Sequence, residues 1–305
     1  MLPPEARMLA QASARAPRTD DPLRNPGIIA AEKEEEVPVK APAFAYAKPR
    51  SAAEAFDLIE RPGARILAGG QSLIASLNMR LAAPELLVDI TALPLKDVIV
   101  DKGGLRIGAL VTHAQIERFR EVAERVPLLA EAARHVAHPA IRNRGTLGGS
   151  LALADPAAEY PAVALALEAT IVLQSRQGER RLPASRFFKG LFETDLRPGE
   201  IVAAAEFPLA ERSVFLELAR RQGDYAIIGL AGVVHGATKR LVFLGAGATP
   251  VLAVQASKQG TLEAAQKALE QDLQPPADLY HSPATKLHLA KVLLARAWNT
   301  LSTSH

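Results

Sequence analysis

The sequence predicts an α+β fold, in which strands and helices cluster instead of alternating along the chain. Three observations predict it. A β-loop-α-β plan opens the ordered part of the chain, and three strand candidates follow one another in the last third with helices only behind them. No internal repeat of solenoid length interrupts this order.

The elements follow in turn. Residues 1–41 are rich in Pro and charge without a sustained apolar period, and are expected to form a flexible tail. A short helical piece over residues 6–14 could also serve as an amphipathic partner-binding helix. Residues 42–98 form a first α/β unit. Ser51-Ala-Ala-Glu54 is a capping box followed by Ala55, Leu58 and Ile59, which starts a short helix at Ser51. A brief strand over 65–68, a helical run over 73–81 ended by Pro84, and a buried strand over 85–90 complete the unit.

A middle α+β unit is expected over 99–210. Strands 98–100 and 105–107 flank Asp101-Lys-Gly-Gly104, a hairpin signal. Thr112 caps a helix expected over 115–123, and 128–136 is a further helix. The apolar segment 157–166, a hairpin of 171–174 with 180–183, and a strand over 201–207 closed by Pro208 follow. The last unit, 211–305, carries strands over 214–219, 226–234 and 241–245. Its helices cover 261–270 and 283–301, the latter with Leu287, Ala290, Leu294 and Ala297 at helical spacing.

Composition narrows the function. The chain has 305 residues, 49% hydrophobic, 23% charged and 5% aromatic, as in ordinary soluble globular proteins. With 36 basic and 33 acidic residues the formal charge is +3, a balance that argues against nucleic acid as the main ligand. No apolar run is long enough to span a bilayer, and the N-terminus lacks the plan of a secretory signal, so a cytoplasmic location is expected. There is no cysteine. The chain can neither ligate an iron–sulfur cluster nor use a thiolate, so any redox work must rest on a bound organic cofactor.

Two segments share one chemical logic. Ala68-Gly69-Gly70-Gln71-Ser72 and Thr146-Leu147-Gly148-Gly149-Ser150 each set paired glycines beside hydroxyl side chains. Paired glycines allow positive φ and close approach, and leave N–H groups free to point at an anion, so two such loops could clamp a pyrophosphate. Each also reads as a simple tight turn. No G-x-G-x-x-G follows a strand and no G-x-x-x-x-G-K-[ST] occurs, which excludes the common dinucleotide signatures. Gly245-Ala-Gly247 reads as a strand-ending turn.

Asp155 and Glu159 could act together in acid–base chemistry. Asp155 reads better as a helix cap with Pro156 at the first helical position, and Pro161 argues against a clean helix through Glu159. His135 and His138, spaced H-x-x-H, lack the further ligands of a metal site. No G-x-S-x-G elbow supports a serine nucleophile. Arg220-Arg-Gln-Gly-Asp-Tyr225 is a charged turn whose tyrosine could stack on a planar ligand.

The order and spacing of Ala68-Gly-Gly-Gln-Ser72-Leu73, Thr146-Leu-Gly-Gly-Ser150, Ala154-Asp-Pro-Ala-Ala-Glu159, Arg197-Pro-Gly-Glu200-Ile and Gln222-Gly-Asp-Tyr225-Ala resemble the FAD-binding medium subunit of molybdenum hydroxylases, as in carbon monoxide dehydrogenase. The xanthine dehydrogenase flavin domain is a more distant likeness. The resemblance implies a vanillyl-alcohol-oxidase (PCMH)-type fold with a C-terminal antiparallel sheet plus helices. It implies non-covalent FAD, wrapped at the pyrophosphate by Ala68, Gly69, Gly70, Gln71, Ser72 and Leu73 from one lobe. Thr146, Gly148, Gly149 and Ser150 would hold it from the other. Ala154, Asp155 and Glu159 would lie along the ribityl chain and isoalloxazine, with Glu159 facing a ring N–H. Val202 would pack near the ring, and Tyr225 would gate it.

The implied partners are an iron–sulfur small subunit with [2Fe–2S] clusters and a molybdopterin large subunit, in a heterotrimer or its dimer. Electrons would pass from the clusters to FAD and on to an external acceptor. A stand-alone FAD oxidase or reductase, and a scaffold without cofactor, are the alternatives. Three features depart from the family pattern. Gln71 stands where the carbon monoxide dehydrogenase type often has His, Ser150 replaces the usual Asn, and residues 1–41 have no counterpart.

Overall fold

The structure is a computed structural model, and it describes residues 28–29, 41–101 and 103–302. The helical piece expected over 6–14 lies outside the described residues. Within the expected tail, β1 (Ile28–Ile29) pairs antiparallel with β2 (Ala45–Ala47). Next come α1 (Ala52–Ile59), β3 (Ala64–Leu67), α2 (Leu73–Asn78) and β4 (Leu86–Asp89). β4 lies between β2 and β3 and is parallel to both, the pairing that a β-loop-α-β unit produces.

Local chemistry accounts for the ends. Ser51 Oγ accepts the Glu54 N–H at 3.2 Å, while the Glu54 carboxylate accepts the Arg50 N–H at 2.9 Å, so the box closes one residue earlier than the usual pattern. The expected run to Leu81 stops at Asn78. Arg80 turns left-handed (φ 56) while Arg80 N–H and Leu81 N–H return to Leu77 O and Ser76 O, a Schellman closure.

The middle unit begins with the hairpin β5 (Val98–Val100) and β6 (Gly104–Gly108), whose turn is fixed by Asp101 Oδ1 accepting the Gly103 and Gly104 N–H groups at 2.8 Å. The single helix expected over 115–123 is instead two. α3 (His113–Arg118), capped by Thr112 and Gln115, breaks at Phe119 before α4 (Arg120–Arg125). The break lets Phe119 and Val122 reach the same apolar cluster. The sequence reading missed α6 (Pro139–Arg142), which follows α5 (Pro127–His135).

α7 (Leu147–Leu153) and α8 (Glu159–Ala166) follow. Asp155 does not cap a helix. Its Oδ1 accepts the Ala157 N–H at 2.9 Å in a turn, and α8 starts at Glu159 after Ala158. Pro161 is tolerated as the third residue of α8, because first-turn N–H groups have no intrahelical partner. The unit continues with β7 (Thr170–Ser175), β8 (Gly178–Pro183), α9 (Ala184–Phe187), the small hairpin β9 (Phe188–Gly190) and β10 (Glu193–Thr194), and β11 (Ile201–Pro208). Its sheet has the order β5-β6-β11-β7-β8.

The last unit is an antiparallel meander of β12 (Arg212–Leu218), β13 (Ile228–His235), β14 (Thr238–Leu244) and β15 (Val251–Leu252). Behind it lie α10 (Val254–Ser257), α11 (Leu262–Asp272) and α12 (Pro283–Ser302). Alternation along β12 sorts its residues. Val214, Leu216 and Leu218 face the α12 side, whereas Phe215 faces the middle unit. The meander is fastened to the middle unit by polar contacts. Arg240 donates to the Leu165 and Ala166 carbonyls at the end of α8, Phe215 N–H to Glu131, and Gly245 N–H to Pro156 O at 2.8 Å.

Candidate functional site

The two diglycine loops meet. A Cβ on Gly69 would overlap the Arg144 carbonyl and come within 2.8 Å of Gly145 Cα. Gly69 therefore serves close packing of the first loop on the backbone that leads into the second. Gly70 serves conformation, with φ +75, a value L side chains rarely adopt. After it, the N–H groups of Gln71 and Ser72 find no acceptor among the described residues, and the Gln71 side chain returns to Gly69 O at 3.2 Å. Ser72 and Gln71 are exposed, and Leu73 opens α2. Ala68, packed against the first unit's apolar cluster, anchors the loop.

The second loop is built differently from the expectation of free amides. Leu147 N–H goes to Val111 O, Gly148 N–H to Ala109 O at 2.8 Å, Gly149 N–H to Thr146 Oγ1 at 3.2 Å and Ser150 N–H to Thr146 O. These groups are occupied because the loop is also the first turn of α7 and a bridge partner of Thr112. What it offers a ligand are hydroxyls, on half-buried Ser150 and on Thr146, and the close approach that Gly149 permits. Gly148 is a packing glycine, since a Cβ there would overlap Ala109.

His113 lies directly beneath this loop. A Cβ on Gly145 would fall 2.6 Å from the imidazole, whose ring centroid is 5.2 Å from that of Tyr160. His113 Nδ1 and Tyr160 Oη are both buried without a hydrogen-bond partner among the described residues. Burial, with help from the Arg142 charge, lowers the His113 pKa to about 4, so the imidazole is neutral. Arg142 is itself held by Glu117 at 2.9 Å and by the Val136 and Ala137 carbonyls.

α7 links the loop to a second group of residues. At about 1.5 Å per residue it carries the chain roughly 12 Å from Thr146 to Ala154, which closes the helix in a left-handed conformation (φ 52). Beyond it stand Asp155 and Glu159. Desolvation raises the Asp155 pKa, and it lifts Glu159 to about 7, with the neighbouring Asp155 charge adding to the rise. Tyr225 is 75% exposed, and desolvation together with the charges of Asp155 and Glu159 raises its phenol pKa.

One further carboxylate belongs to this group. Glu217 shares the Phe215 face of β12, and its Oε2 is buried without a partner. Desolvation, reinforced by Glu159, raises it to about 8. Strand parity was the available signal for Glu217, but nothing in the sequence brings it within reach of the Glu159 charge. Val202 stands apart from the polar groups. It is 6% exposed in the apolar cluster that includes Leu147 and Leu151, where it packs beneath the second loop. The H-x-x-H pair is divided between two packing duties. His135 lies 5.2 Å from the Phe215 ring, and His138 abuts Gly223. Among the described residues no group of three His, Asp or Glu side chains is arranged to hold a metal ion.

The chain matches the family described as FAD binding domain in molybdopterin dehydrogenase over residues 42–210, and the CO dehydrogenase flavoprotein C-terminal domain over 213–301. Together the matches make it an FAD-binding flavoprotein of an oxidoreductase, with a PCMH-type fold and a C-terminal antiparallel sheet plus helices. More particularly, the chain belongs to the molybdopterin dehydrogenase flavoprotein family that includes the carbon monoxide dehydrogenase medium chains.

Among its relatives, the 6-hydroxypseudooxynicotine dehydrogenase complex subunit alpha of Paenarthrobacter nicotinovorans is 37% identical, covering 85% of this chain and 94% of that protein. The carbon monoxide dehydrogenase medium chain of Hydrogenophaga pseudoflava is 32% identical over 85% and 96%. The crystal structure of quinoline 2-oxidoreductase from Pseudomonas putida 86 superposes with a TM-score of 0.81 at 37% identity, covering 86% of this chain and 98% of the other. The relatives are subunits of multi-subunit enzymes. Among the described residues no helix is long and apolar enough to cross a membrane.

Proposed function

We propose that the chain clamps FAD between residues 42–98 and 99–210, takes electrons from a partner's [2Fe–2S] clusters, and passes them to an external acceptor. The observation that carries this reading is the packing of Gly69 on Arg144 and Gly145, which sets both loops around one point. The donor set suits a pyrophosphate. Unpaired amides at Gln71 and Ser72 come from one side and the Thr146 and Ser150 hydroxyls from the other. Gly70, Gly148, Gly149, Ala68 and Leu73 shape this cradle. Ala154, Asp155 and Glu159 line its continuation, with Val202 beneath and Tyr225 at its edge.

When bound, the flavin supplies a centre that accepts electrons singly and releases them in pairs. The residues of this chain exclude water and hold protons nearby, since Glu159 (about 7) and Glu217 (about 8) retain protons near neutral pH. Residues 211–305 form the unit that brings Tyr225 and Glu217 to the cleft. With no cysteine, this chain leaves cluster ligation to another subunit. In this reading an iron–sulfur small subunit holds the clusters and a molybdopterin large subunit hydroxylates the substrate, within a heterotrimer or its dimer.

The test is to purify the chain from its host with its partners and assay flavin, iron and molybdenum. One FAD per copy of this chain, reduced by substrate only when the partners are present, is expected. A complex without flavin, or a chain whose flavin is reduced by substrate alone, would overturn the reading.

A further inference from the structure

The segment that presents Tyr225 is fastened by two contacts outside the cleft. On the inner side, Gly223 (φ +88) lies so close to His138 that a Cβ would fall 2.5 Å from the imidazole and 3.1 Å from the Ala137 carbonyl. On the outer side, the Arg220 guanidinium lies 4.9 Å over the centroid of the Tyr280 ring and 3.7 Å from the Asp224 carboxylate. Tyr280 belongs to a different part of the chain, just before α12, and that part is firmly held. Asp278 accepts the N–H groups of Tyr280 at 2.8 Å and His281 at 2.9 Å, and it pairs with the buried Lys286 of α12 at 2.9 Å.

The arginine therefore has two partners of unequal consequence. Asp224 is on its own segment, and an exposed pair of that kind contributes little. The stack on Tyr280 joins two segments that otherwise end in exposed aromatics, Tyr225 at 75% and Tyr280 at 69%. A cation over a tyrosine face is directional, so it holds the segment in one place.

We propose that the Arg220–Tyr280 stack is an external latch that positions the Tyr225 segment over the flavin cleft and so limits entry of small oxidants. Arg220 and Tyr280 are positioning residues that act through Tyr225. The inference rests on the reading of Tyr225 as the edge of that cleft.

Two measurements test it. In the full chain without ligand, Tyr280→Ala is expected to speed amide hydrogen exchange at residues 222–226 by about two- to five-fold, the opening that loss of an exposed cation–π contact permits. Tyr280→Phe keeps the ring face and is expected to leave exchange unchanged. In the purified complex, Tyr280→Ala should raise the rate of flavin reoxidation by oxygen by a similar factor at unchanged FAD content, with Arg220→Ala adding nothing further. Unchanged exchange in Tyr280→Ala, or equal effects of Ala and Phe, would overturn the latch. If Tyr225→Ala leaves oxygen reactivity unchanged while exchange responds as expected, the placement of Tyr225 at the flavin fails and the mechanical contact stands.

Discussion

Replacing Glu159 by Gln removes a carboxylate that the fold buries at a cost, and the size of the effect follows from its surroundings. Desolvation lifts this carboxyl from the ordinary 4.5 to about 7, with Asp155 adding to the rise and the Glu159 backbone N–H opposing it. At about 1.4 kcal/mol for each tenfold change, that displacement corresponds to about 3 kcal/mol. Because the folded pKa is raised, the folded chain holds this proton more tightly than the unfolded chain does. The resulting stability is complete below about pH 4.5 and is lost as pH rises through about 7. Glu159→Gln should therefore stabilise the ligand-free chain by about 2–3 kcal/mol at about pH 8 and by almost nothing at about pH 4.

Urea midpoints of both chains across that range measure the difference directly. A difference that is flat in pH, or that grows toward acid, would refute the account of a carboxyl raised by burial. Glu217, raised to about 8 in part by Glu159, should show the same pH signature when changed to Gln. The two substitutions should combine non-additively, since removing either charge relieves the other.

Gly69→Ala should separate the loops through its overlap with the Arg144 carbonyl, costing about 1–3 kcal/mol by urea midpoint and lowering the FAD content of the purified complex. Gly260→Ala, with nothing within 4 Å, is the control and should change stability by less than about 0.5 kcal/mol. For His113→Asn the pH dependence runs the other way. Its folded pKa of about 4 lies below the ordinary 6.5, so its stability contribution is full above 6.5 and is lost as pH falls through about 4. The variant should unfold with a flatter urea-midpoint profile over that acid range. Arg180→Met leaves the Glu200 carboxylate, 8% exposed, without the guanidinium that holds it at 2.7 Å and also binds Asp195. A loss of about 2 kcal/mol is expected at neutral pH. It should shrink in acid, because against desolvation the hydrogen bonds and charges of Arg180 and Arg197 hold Glu200 below its ordinary pKa, and protonation ends the pairing.

Elements whose cause is local were legible in the sequence. The Asp101 hairpin, the Thr112 cap and the Ser51 cap lie within four residues of their partners, so residue type and spacing suffice to place them. Asp155 was misread for the complementary reason. Asp-Pro is compatible both with a helix cap and with a turn, and the choice was made by contacts far along the chain, including the Gly245 N–H that holds the Pro156 carbonyl.

The sequence by itself determined that two glycine-paired loops exist, that no cysteine can hold a cluster, and which motifs mark the family. Tertiary structure decided what each glycine does. Gly69 and Gly148 leave room for another backbone, Gly70 supplies a positive φ, and the second loop's amides are consumed by Ala109, Val111 and Thr146. It also brought Glu217 within reach of the Glu159 charge and set Arg220 over the Tyr280 ring. These pairings join distant parts of the chain, and neighbouring residues have no spacing rule that reports which surfaces will close on each other. Packing of the C-terminal sheet on the middle unit brings Glu217 within reach of Glu159, and with it the burial that moves their protons, whereas Arg220 meets Tyr280 through the folding of the C-terminal unit itself.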